Sequence, residues 1–240
     1  MLPDDEVERA LVVVAHPDDA DFGSAGTVAT WVRAGIEVAY CLVTDGDAGG
    51  FDPDVPREHI PHIRRDEQRR AAATLGVTEV AFLGYPDGRV YVTHELRRDI
   101  TRQIRRVRPQ RVVTQSPERN FRRIYASHPD HLAAGEAALC AVYPDARNAF
   151  AHPDLLAEEG LEPWTVAEVL LMSDAQSDVF IDVTDVYDLK VAALRCHESQ
   201  MVNIADLDGL LRGWLSSQAF AGGMRTGRLA EAFRRVDTAG

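Results

Sequence analysis

The run Leu11–Ala15, LVVVA, contains no polar residue and stops at His16-Pro17-Asp18-Asp19. An uninterrupted apolar run reads as a strand covered on both faces, as strands are in a parallel sheet between two helical layers. Pro17 lacks the N–H a sheet ladder needs and biases His16 toward an extended conformation. The polar residues therefore fall on a turn just past the carboxyl end of the strand, the edge where open α/β sheets build their sites. One imidazole and two adjacent carboxylates supply metal ligands and a spare base, the combination used by zinc sites that activate water. The competing reading is a solvated loop in which Asp19 or Asp21 caps the following helix.

Strand-like and helix-like segments then alternate. Helical patterning covers residues 24–34, 62–75 and 94–107, ended by Gly35, Gly76 and Pro109, and strand patterning covers 36–44, 79–83 and 111–115. Alternation at this spacing predicts an α/β fold, a three-layer α/β/α Rossmann-like arrangement around a mostly parallel, doubly wound sheet. Residues 169–172 and 179–183 read as a late edge pair of strands and 185–199 as a helix. No linker divides the chain, so residues 1–240 are expected to form one domain, with its core over about 10–200 and a C-terminal helical tail over 201–240 whose last helix lies near 229–236. The stretch 45–57 is too long for a simple turn and sits at the functional edge of the sheet. The irregular stretch 143–166 reads as a lid or a subunit contact, which leaves room for a homo-oligomer.

A second polar cluster follows the fourth strand, at Ser127-His128-Pro129-Asp130-His131. It reads as a helix start, with Ser127 as N-cap, Asp130 three residues on in capping-box fashion, and Pro129 in the first turn. His128 and His131, three apart, project from one side of that turn. Joined with the first cluster, His16, Asp19 and His131 make a set of two imidazoles and one carboxylate, a catalytic zinc set with a position left for water. Asp18 remains as a base, and His128 remains as a charged group able to stabilise an oxyanion or protonate a leaving amine. Without the site, His131 would be a helix-surface histidine and His128 a capping-turn partner. His59, His62, His94 and His152 have no such companions and are expected at the surface.

Acidic residues outnumber basic ones by 38 to 26, a formal charge of −12, which disfavours nucleic acid and anionic membranes as partners and favours a small molecule. Lacking a signal-like segment and any apolar run long enough to span a bilayer, the chain is expected to be cytoplasmic. Cys41, Cys140 and Cys196 are odd in number and far apart and read as buried thiols. Lys190 is the only lysine, which a bias in genome composition would explain.

The string AHPDDAD after an apolar strand, with SHPDH more than a hundred residues later, resembles the PIG-L/LmbE-like family of zinc-dependent deacetylases. Thr44-Asp45-Gly46, Arg64-Arg65-Asp66-Glu67, Leu83-Gly84 with Asp87, and His197-Glu198-Ser199-Gln200 extend the likeness over residues 11 to about 200. The resemblance implies zinc, or another divalent metal, held by His16, Asp19 and His131, with Asp18 as base and His128 assisting the tetrahedral intermediate. It implies substrate contacts from Arg64 and Asp87. The bland alternative for Arg64 is a surface pair with Asp66 or Glu67. Family members usually carry Glu where this chain has Ala20, and Tyr125 is the nearest match for a tyrosine found near the second motif in some relatives.

The function expected from these readings is hydrolytic removal of an N-acetyl or similar small acyl group from an amino sugar or its conjugate. The alternative within the class is an amidase acting on a larger conjugate, such as a thiol S-conjugate or an antibiotic intermediate. A dinucleotide-binding module fits poorly, since Gly23 and Gly26 miss the G-x-G-x-x-G spacing. A non-catalytic sugar-binding relic fits poorly with an intact base and ligand set.

Overall fold

A computed structural model describes residues 1–239. In chain order they form β1 (Arg9–Val14), α1 (Asp19–Arg33), β2 (Glu37–Thr44), α2 (Ile60–Thr74), β3 (Glu79–Tyr85), α3 (His94–Val107), β4 (Arg111–Gln115), α4 (Pro129–Cys140), α5 (Pro153–Ala157), β5 (Glu168–Met172), β6 (Val179–Asp182), α6 (Tyr187–Arg195), α7 (Glu198–Met201), α8 (Leu207–Ala221) and β7 (Ala230–Asp237). One sheet carries all seven strands in the order β3-β2-β1-β4-β5-β7-β6. The first five run parallel, and β7 is antiparallel to both of its neighbours. The α/β layering and mostly parallel sheet are those expected from the alternation of segments.

Strand residues alternate between two cores. Val12, Val14, Tyr40 and Leu42 pack with α1, α2, α6 and α8 on one face, while Leu11, Val13, Ala39 and Cys41 pack with α3 and α4 on the other. Both faces of β1 are thus covered, which is why its sequence is apolar throughout rather than alternating. The chain leaves β1 toward β2 and β3, then crosses to β4 on β1's other side. This reversal makes a crevice at the carboxyl ends of β1 and β4.

The carboxyl-terminal segment departs from expectation. Residues 201–239 are no helical tail: α8 is N-capped by Asp206, whose side chain accepts from Gly209 N at 2.8 Å, and buries Leu211, Leu215 and Ala219. Residues 230–237, where a last helix near 229–236 was expected, form β7 between β5 and β6. Tertiary partners override the local preference: Phe233 is fully buried, and the Glu231 carboxylate meets the Lys190 ammonium at 2.7 Å. In consequence β5 and β6 are not neighbours.

Smaller departures concern ends and side chains. The first helix begins at Asp19, five residues earlier than its patterning suggests, and α4 is capped by the His128 ring, not by Ser127, whose hydroxyl instead accepts from Asn120 N at 2.7 Å. Of the three thiols only Cys41 is buried; Cys140 and Cys196 are half-buried. His152 is buried, its Nε2 3.2 Å from Asp145, rather than at the surface.

Candidate active site

The turn after β1 and the start of α4 meet across the crevice. Rings of His16, His128 and His131 form a triangle with centroids 5.0–5.3 Å apart. Asp19 lies between two of them, one oxygen 3.2 Å from His16 Nδ1 and the other 3.1 Å from His131 Nε2. Ligand atoms sharing a tetrahedral zinc at about 2.0–2.1 Å lie about 3.3 Å apart, so these separations suit a metal's coordination shell. Nitrogens of His16, His128 and His131 also lie mutually close enough for one ion, as do those of His16 with Asp87 and Asp130.

The hydrogen bonds separate these possibilities. Asp130, buried at the second position of α4, accepts from Gly88 N at 2.7 Å and Val90 N at 3.2 Å, and its Oδ2 sits 3.3 Å from His16 Nε2. Asp87 Oδ1 lies 3.0 Å from the same Nε2. Two carboxylates on Nε2 favour a proton there, so Nδ1, the nitrogen facing Asp19, is the one that would give up its proton to a metal. A carboxylate behind a ligating histidine is the usual means of orienting it. Asp130 was expected only as a capping residue. No signal in the string SHPDH distinguishes that role from the one it has, because the difference depends on what lies opposite.

The electrostatics point the same way. Burial works against charge on His16, yet Asp130, Asp19 and Asp87 overcome it and push its pKa up to about 12. Burial likewise opposes charge on His131, and Asp19 raises its pKa. Burial opposes ionisation of Asp19, and the two histidines hold its carboxyl well below the usual range. Three carboxylates converging on one ring mark a position that favours positive charge, which a divalent cation supplies when it displaces the protons. The donor set therefore fits a metal.

Asp18 occupies a left-handed backbone conformation, φ 88°, costly for a residue with a side chain. Its carboxylate meets Arg64 Nη2, 3.3 Å from Oδ2, where that of Asp19 meets the two histidines; Asp18 N donates to Gln68 Oε1 at 2.9 Å, and Arg64 Nη2 also donates to Pro17 O at 2.7 Å. Behind Gln68 stands a buried chain, in which its Nε2 donates to Asp21 Oδ2 at 2.8 Å and His197 Nε2 meets the same oxygen at 2.8 Å. The HESQ string thus supports the backbone of Asp18 from behind, a role its sequence does not disclose. Burial is the largest influence on Asp18, with Arg64 opposing it, and the carboxyl is raised to about 6.

Arg64 is buried, not paired at the surface with Asp66 or Glu67. Its guanidinium fills space left by two glycines, where a Cβ would come within 2.2 Å (Gly46) and 2.3 Å (Gly49). Asp87, 9 % exposed, is held by Ala48 N and His16. Burial and the neighbouring rings lower the pKa of His128. Its Nδ1 accepts from Asp130 N at 3.2 Å, so the proton of the neutral ring is on Nε2. All of these groups open onto a mouth of about 380 Å³ lined by Asp18, Arg64, Asp87, Tyr125, His128 and His131 among others.

Residues 11–142 match the family model described as PIG-L, GlcNAc-PI de-N-acetylase. The chain is 34 % identical to the diacetylchitobiose deacetylase of Thermococcus kodakarensis, over 98 % of its own length and 85 % of the relative's. It is 29 % identical to a probable N-acetyl-alpha-D-glucosaminyl L-malate deacetylase 2 of Bacillus cereus, over 88 % of its length and 96 % of the relative's. The crystal structure of N,N'-diacetylchitobiose deacetylase from Pyrococcus horikoshii, complexed with an inhibitor, superposes with a TM-score of 0.88 at 29 % identity, covering 98 % of this chain and 86 % of that one. With its two HPD clusters joined across one crevice and its likeness to these relatives extending over nearly the whole chain, this protein belongs to the PIG-L family.

Proposed function

We propose that the chain is a zinc-dependent N-deacetylase that hydrolyses N-acetylated amino sugars or their conjugates to the free amine and acetate. Its similarity to deacetylases of diacetylchitobiose and of a glucosaminyl malate supports the substrate class. The observation that carries the reading is the division of labour between adjacent carboxylates: Asp19 bridges toward His16 and His131 while Asp18, held by Arg64 and Gln68, stays clear of them.

His16 through Nδ1, Asp19 and His131 through Nε2 would hold the metal. When bound, zinc supplies Lewis acidity toward an amide oxygen and lowers the pKa of water near it. Asp18 accepts the proton of the attacking water, and Arg64 keeps that carboxylate ionised and aimed into the mouth. His128, neutral with its proton on Nε2, donates to the oxygen on which charge develops or to the departing nitrogen. Asp87, on the mouth wall with Oδ1 toward His16, is placed to accept from a sugar hydroxyl at Oδ2, the oxygen that also accepts from Ala48 N.

The test joins metal analysis with amine release. Purified protein should carry about one divalent ion per chain, His131→Ala should lose it, and the intact protein should release free amine from N-acetylglucosamine or N,N'-diacetylchitobiose. Full metal occupancy and activity in His131→Ala would overturn the ligand set, and a metal-loaded protein that releases no amine would overturn the function.

A further inference from the structure

A second cavity opens on the opposite flank of the same residues. It has a volume of about 580 Å³, and Asp19 and His131 stand in its wall beside Phe22, Met172, Leu211 and Trp214. Met172 closes it from the end of β5, and Leu211 and Trp214 from α8. Asp18, Arg64, Asp87 and His128 line the mouth and take no part in this second space, whereas Tyr125 borders both.

That partition orients an amide. Cleavage separates an acyl half from an amine half, and the leaving nitrogen must take up a proton. Base and proton donor both face the mouth, so the amine half lies there, among groups able to hydrogen-bond hydroxyls. The acyl substituent, on the other side of the carbonyl carbon, then points past Asp19 and His131 into the second cavity.

The walls suit hydrocarbon. Several of their polar atoms are already engaged: Gln115 Oε1 accepts from Ala15 N at 3.0 Å, Ser217 Oγ donates to Trp214 O at 2.7 Å, and Arg123 Nε donates to the Tyr125 hydroxyl at 2.8 Å while its guanidinium lies 5.5 Å from the Trp214 ring centroid. A sugar placed here would set hydroxyls against Phe22, Met172, Leu211 and Trp214, at a cost an alkyl chain does not incur. A methyl group would fill only a small part of a space whose size is that of whole small-molecule pockets.

We propose that this cavity is an acyl-chain site and that the enzyme hydrolyses N-acyl amino sugars with linear chains longer than acetyl, from butanoyl to octanoyl. The proposal rests on the deacetylase reading above and extends it. The bonds balance as in any amide hydrolysis: water's oxygen joins the carbonyl carbon, the C–N bond breaks, and water's proton passes by way of Asp18 to the leaving nitrogen. The products are a fatty carboxylate and the free amino sugar.

The experiment uses the zinc-loaded full chain and a series of N-acetyl, N-butanoyl, N-hexanoyl and N-octanoyl glucosamine. Each methylene buried should raise kcat/KM about fourfold until the cavity is full. Leu210→Trp, at a rim position that is 54 % exposed, should bring the hexanoyl-to-acetyl ratio down toward one. Hexanoate should change tryptophan fluorescence at concentrations where acetate does not, and Trp214→Phe should abolish that change. Turnover of the acetyl substrate with a flat or falling series, and hexanoate binding no tighter than acetate, would overturn the acyl-chain site and leave the deacetylase reading standing. If the acetyl substrate and every longer one resist hydrolysis, the deacetylase reading fails and this proposal fails with it.

Discussion

An oxygen of Asp130 lies 3.3 Å from Nε2 of His16, although 114 residues separate the two in the chain. The first turn of α4 thereby decides which nitrogen of a histidine after β1 faces the ligand position. Asp130→Ala should weaken zinc binding by about 10- to 100-fold, the usual worth of a carboxylate behind a ligating histidine. Asp130→Asn, which can still accept one hydrogen bond, should fall between this variant and the parent. Chelator competition measures both, and unchanged affinity in the alanine variant would remove Asp130 from the site.

Asp18→Asn should retain its metal while kcat falls by roughly 10²- to 10⁴-fold, the range for loss of a general base. Burial raises the Asp18 carboxyl to about 6. It is ionised above that value, so kcat/KM should decline as pH falls through about 6, or lower once a bound cation adds its charge. Arg64 opposes the rise, so Arg64→Met should move that limb to higher pH, and Asp18→Asn should abolish it. A pH profile the same in all three proteins would separate Asp18 from the proton transfer.

Lys190, fully buried, donates to Glu231 at 2.7 Å and to the carbonyls of Asp21 and Phe22 at 2.8 and 2.6 Å, while Glu231 accepts from Gly26 N and Thr27 N. This pair ties β7 to the first turns of α1, which carry Asp19. Lys190→Met leaves the Glu231 charge without its cation and should destabilise the fold by about 3–5 kcal/mol. The double variant Lys190→Met, Glu231→Gln should recover part of that loss. Urea denaturation reads both, and a single variant within about 0.5 kcal/mol of the parent would show the pair to be dispensable.

The C-terminal region shows where local patterning misleads. Ala230–Asp237 is rich in helix formers, and nothing within it says that Phe233 meets the core or that Glu231 meets the sole lysine 41 positions earlier. The same holds for Arg64, whose local neighbours Asp66 and Glu67 offered surface pairs. Its partners are carbonyls and a carboxylate from the turns after β1 and β2, brought together only when those strands lie side by side. A lone lysine attributed to composition proves to be a buried cross-link.

The sequence by itself determined the layered α/β plan, because an apolar run without alternation has no stable place except between two helical layers. It also determined the chemistry available, since the two histidine-aspartate clusters contain every donor proposed for a metal and a base. Only the tertiary structure decided how those donors divide the work. Which carboxylate faces which nitrogen, why Asp18 stands apart from Asp19, and what lies beyond His131 all depend on residues far apart in the chain. Hydrogen bonds and charge act over a few ångströms of space, and sequence separation carries no record of that distance until the sheet has formed.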